Sequence, residues 1–86
     1  MRKPSHIEHL ESCGRTYADL TAFRRQLESF RITVAWNTSR REWILGKVPA
    51  HGPTFISLRV GTESLAALMA DAMDVARQFE RRIAEA

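Results

Sequence analysis

The sequence predicts an α+β domain, a three-stranded antiparallel β-meander flanked by helices in the order α-β-β-β-α. Three observations predict it. Phe30, Ile32, Val34 and Trp36 recur at period two, then come a polar tip and Trp43 and Leu45, the pattern of a half-buried hairpin. Thr54 to Val60 alternates again, with Ile56, Leu58 and Val60 set against Phe55, Ser57 and Arg59. Finally, Leu65, Leu68, Met69, Ala72, Ala76, Phe79 and Ile83 form a stripe at three- and four-residue spacing, the signature of an amphipathic helix packed on one sheet face.

Residues 1–14 form an N-terminal arm. Within it Ser5-His6-Ile7-Glu8 has capping-box spacing, Ile7 and Leu10 stand one turn apart, and Gly14 closes the stretch, so one or two helical turns are expected. Thr16-Tyr17-Ala18-Asp19 repeats the cap. Tyr17, Leu20, Phe23 and Leu27 then share a face, which predicts a helix from Thr16 to Ser29. For the hairpin, a tip at Asn37-Thr38-Ser39-Arg40 sets Trp36 opposite Arg41, Val34 opposite Trp43 and Ile32 opposite Leu45. Arg31, Thr33, Glu42 and Ile44 then look out from the other face. Pro49-Ala50-His51-Gly52-Pro53 is turn-forming and separates the hairpin from the third strand. The last helix, read from Glu63 to Glu85, would be ~34 Å long. It would overhang a small sheet, leaving Phe79 and Ile83 to be covered by helix one or by a second subunit, hence an expected homodimer.

Eighty-six residues with 44% hydrophobic and 27% charged side chains suit one folded domain, 1–86, with no linker or repeat. No run approaches the ~18 apolar residues of a membrane span, and the first residues lack a signal-peptide core, so a cytoplasmic protein without membrane association is expected. A lone Cys13 excludes an internal disulfide. The net charge of +3 rests on 13 Lys and Arg against 10 Asp and Glu, and 11 of the 13 cations are Arg. Arginine's planar fork suits phosphate and carboxylate, which tilts the expectation toward an acidic partner. A GC-rich coding sequence supplies the same bias with no selection on chemistry.

Chemistry-bearing motifs are few. His6-x2-His9-x3-Cys13, with His51 as a conceivable fourth ligand, lacks the paired cysteine spacing of a zinc site, and surface histidines are the simpler reading; no metal or other cofactor is expected. There is no Gly-x-Ser-x-Gly, no Walker loop and no acidic pair set apart for catalysis, so the chain is not expected to be an enzyme. The doublets Arg24-Arg25, Arg40-Arg41 and Arg81-Arg82 can contact phosphate or pair with Glu28, Glu42 and Glu85. On the last helix, the spacing of Asp74 with Arg77 and of Arg77 with Glu80 favours a neutralised surface.

The two tryptophans fill a small core by the simplest reading. Yet Val34-Ala35-Trp36, six intervening residues, then Trp43, a further strand and a helix starting near Thr62 resemble AP2-type and phage-integrase arm-type DNA-binding domains over Arg31 to Phe79. That resemblance implies a sheet face in the major groove, with Arg31, Thr33, Arg41, Trp43 and Arg59 as contacts. Leu45 stands where the pattern has a small residue, with Gly46 one step late. The α-β-β-β-α order is also similar to that of double-stranded RNA-binding domains, whose basic last-helix start is here Thr62-Glu63-Ser64-Leu65-Ala66-Ala67.

Two functions follow as expectations. One is a small non-enzymatic DNA-binding protein of phage or mobile-element type, with Arg31, Thr33, Arg40, Arg41 and Arg59 on or beside the open sheet face. The other is a protein-interaction module, an adaptor or inhibitor, using Ile44 and Phe55 on that face or Phe79 and Ile83 on the last helix.

Overall fold

Local signals start the helices. The computed structural model describes residues 4–51 and 54–85, and in it α1 (Ser5–Ser12) begins after Pro4, whose φ of −57° suits a helix entry. Ser5 is the first helical residue and makes no cap, which corrects the expected capping box; Glu8 supplies only first-turn charge. Gly14, at φ +84°, ends the helix in a Schellman arrangement. Its N–H donates to the Glu11 carbonyl at 3.0 Å and the Arg15 N–H to the Leu10 carbonyl at 3.2 Å. α1 is thus part of the core, with Ile7 and Leu10 buried.

α2 (Tyr17–Glu28) has the expected capping box. The Asp19 N–H donates to Thr16 Oγ1 at 3.1 Å and the Thr16 N–H to Asp19 Oδ2 at 2.8 Å. Leu20, Phe23 and Leu27 are its buried face.

β1 (Ile32–Asn37), β2 (Glu42–Lys47) and β3 (Ile56–Val60) form an antiparallel sheet in the order β1-β2-β3. The register differs from the sequence expectation by two. Trp36 pairs with Trp43, Val34 with Leu45 and Ile32 with Lys47. The reason is the tip: Asn37 is a strand residue whose Oδ1 accepts from the N–H groups of Ser39 and Arg40 at 3.1 and 3.2 Å. Asn37 therefore pairs with Glu42, and Arg41, expected opposite Trp36, is a tip residue at φ +53°. An even shift leaves each side chain on its expected face. Arg31, at φ +60°, turns the chain between α2 and β1.

The C-terminal stripe is two helices, α3 (Thr62–Leu68) and α4 (Ala72–Glu85), instead of one long rod. Asp71 makes the break, since its Oδ1 accepts from the Asp74 N–H at 3.2 Å and so starts a new helix. The overhang disappears with the rod. Phe79 is 1% exposed inside the core and Ile83 is half-buried, so Phe79 is a packing residue and not a surface contact.

α2 packs on β1, α3 on β2 and α4 on β3, while α1 closes against α2 and α3. The sheet face carrying Ile32, Val34, Trp43 and Leu45 is buried beneath them, whereas Thr33, Ala35, Ser57 and Arg59 on the opposite face are exposed. Among the described residues, no helix covers that opposite face. No helix among the described residues is long and apolar enough to cross a membrane.

Candidate binding face of the sheet

Two cross-strand rows build the open face. Ala35 pairs with Ile44 and Ile44 with Arg59; Thr33 pairs with Gly46 and Gly46 with Ser57. Thr33 Oγ1 also donates to the Gly46 carbonyl at 3.3 Å, fixing the threonine against the central strand. At Gly46 the missing side chain has a purpose. A Cβ built there would lie 2.6 Å from Phe55 Cζ and 2.9 Å from Cε2, so the Phe55 ring is seated on the glycine backbone. Phe55 stays 56% exposed in that seat. Ile44 is half-buried beside the same row, and Ala35 and Thr33 are exposed.

The charges are arranged around this apolar centre. Arg59 Nε lies 3.5 Å from Glu42 Oε1, an ion pair without hydrogen-bond geometry, since Glu42 Oε1 is buried and makes no hydrogen bond among the described residues. That pair neutralises the one arginine lying within a strand of the face. Arg31, Arg40 and Arg41 are exposed, and no described carboxylate lies within 4.0 Å of them. They stand at the entry to β1 and at the hairpin tip. Of the residues expected to act together, the sheet joins Thr33, Ile44, Phe55 and Arg59 on one face. It sets Arg31, Arg40 and Arg41 at its margins and removes Phe79 and Ile83 to the helical side.

Other charged pairs differ from those expected on the last helix. Arg77 bonds Asp71 at 3.4 Å, Asp74 accepts from Gln78 at 3.0 Å, and Glu80 pairs with Lys47 at 3.3 Å. Arg82 Nη1 donates to the Ser57 carbonyl at 2.7 Å.

Behind the sheet lies a feature that sequence reasoning missed. The His6 ring stacks on Trp36 at 5.3 Å and 15°, and meets Trp43 edge-on at 5.4 Å and 70°; the two indoles meet at 5.2 Å and 61°. Trp43 is fully buried and donates Nε1–H to Thr62 Oγ1 at 3.2 Å, tying β2 to the start of α3. Burial first, and then the nearby Arg24 guanidinium, push the His6 imidazole below its ordinary 6.5. His6 thus serves packing between α1 and the hairpin. His9 is exposed and Cys13 half-buried, and among the described residues no three metal-binding side chains converge. A histidine on the Ile7 and Leu10 segment was visible in the sequence; its stacking partner was not, because nothing local sets α1 beside Trp36.

Comparison with family models, curated proteins and solved structures gives no match to the chain.

Proposed function

We propose that the protein is a non-enzymatic binding module that presents the open face of its sheet to an acidic protein surface. The observation that carries this reading is Phe55, more than half exposed yet held on Gly46 beside Ile44. An exposed aromatic beside a second apolar side chain is a common anchor of a protein interface. Arg31, Arg40 and Arg41 around that centre would supply a rim that steers an acidic partner. Arg59 is already paired with Glu42, which favours an apolar centre over a basic one.

DNA is the second reading, and the same arginines favour it, since cations at a strand entry and a hairpin tip can straddle a groove and hold phosphates. Two measurements separate the readings. Chemical crosslinking in nuclease-treated lysate of the source organism should capture a protein with the native chain and lose it with Ile44→Ser plus Phe55→Ser. Fluorescence anisotropy on mixed-sequence duplex at low salt should show no binding. A salt-dependent affinity for duplex, lost in Arg40→Ala plus Arg41→Ala and kept in the apolar double variant, would overturn the protein reading in favour of DNA.

A further inference from the structure

The two edges of the sheet are treated differently. An unpaired edge offers free N–H and C=O groups to another strand, and proteins blunt such edges with charge, proline or cover. β3 is blunted twice. Arg59 lies within it, and Arg82 from α4 donates to its Ser57 carbonyl at 2.7 Å. β1 reads Ile32-Thr33-Val34-Ala35-Trp36-Asn37, six residues without charge or proline, and among the described residues β2 is its one neighbour in the sheet. At about 3.4 Å per residue this is an edge of roughly 20 Å, long enough for a full strand pairing.

We infer that β1 pairs antiparallel with the β1 of a second copy, so that the two sheets become one. The occupant is argued from charge. Between α2 and β1 runs a cleft of about 180 Å³ lined by Arg24, Glu28, Ile32, Thr33 and Val34. Arg24 and Glu28 stand one turn apart on α2, and neither has an ion-pair partner within 4.0 Å among the described residues. A two-fold axis beside β1 runs the two α2 helices antiparallel on the same side of the joined sheet. In such an interface each contact occurs twice with the roles exchanged. Arg24 of each copy then faces Glu28 of the other, and a second copy supplies both charges in the required order. The uncharged edge provides main-chain hydrogen bonds, and the helix pair provides the register. This goes beyond the open-face reading and uses different residues, so either can fail alone.

Sedimentation of the full chain from low to high micromolar concentration tests it. A reversible monomer–dimer equilibrium is expected. Arg24→Glu or Glu28→Arg alone places like charges opposite each other at both symmetric positions and should weaken the dimer by roughly tenfold. The combined Arg24→Glu plus Glu28→Arg should restore it. Ala35→Lys, at an exposed edge position, should abolish it, with circular dichroism of the dilute protein unchanged. Amide exchange within Ile32–Asn37 should slow as concentration rises. A monomer throughout the range overturns the inference. So does a dimer that none of these substitutions weakens, or one that both single charge reversals weaken and the double reversal fails to restore.

Discussion

At the scale of single residues, Trp43 and Gly46 carry opposite jobs on the same strand. Trp43 fills the core and bonds Thr62, so Trp43→Ala should cost about 3–5 kcal/mol in urea unfolding, a large share of the stability of a small domain. Gly46 holds open the seat of Phe55. Gly46→Ala pushes against the far end of an exposed ring, which can move, so stability should change by less than about 1 kcal/mol while the Phe55 ring resonances shift in an NMR spectrum. His6 adds a pH dependence. Its imidazole takes a proton less readily when folded, so the unfolded chain binds protons first as pH falls through 6.5. Stability should decline from there and level off below the lowered folded value. Melting temperatures across that window should flatten in His6→Gln. Burial of Trp43 was legible from its place in the alternation, whereas the His6 stack joins residues thirty or more positions apart and left no local mark.

Individual elements were legible where a side chain acts on its own neighbours. The Thr16 and Asp19 box was readable because both bonds span three residues. Thr16→Ala should cost about 1 kcal/mol in urea unfolding. The Thr16 N–H, whose bond survives that substitution, also holds the Asp19 carboxyl below its usual range, so the stabilisation from this second bond is present above 3.8 and is lost at more acid pH, as the carboxylate protonates at its lowered folded value. Asp71 is the same chemistry in a less legible setting. It sits inside an apolar stripe that continues in phase from Leu65 to Phe79, and periodicity alone joins what its cap divides. The hairpin register failed for a related reason. Two tips of equal length differ by one position along the chain, and only the Asn37 side chain, bonding Ser39 and Arg40, selects between them.

The whole molecule has a covered face, an open face and two unlike edges. Ile44→Ser plus Phe55→Ser should leave stability within about 1 kcal/mol while removing the captured partner. The sequence by itself determined the α+β class, the strand order and the face to which each strand residue belongs. Those depend on alternation, which survives a register shift of two because the side-chain period of a strand is two. The tertiary structure alone decided that Phe79 is core, that α1 belongs to the fold, and that Phe55 is seated on Gly46. It also decided that Arg59 pairs with Glu42 and that Arg82 bonds the Ser57 carbonyl of β3. Each of these depends on which elements meet through space, and a meeting between distant segments is set by the packing of the whole chain, whose energy no local pattern records.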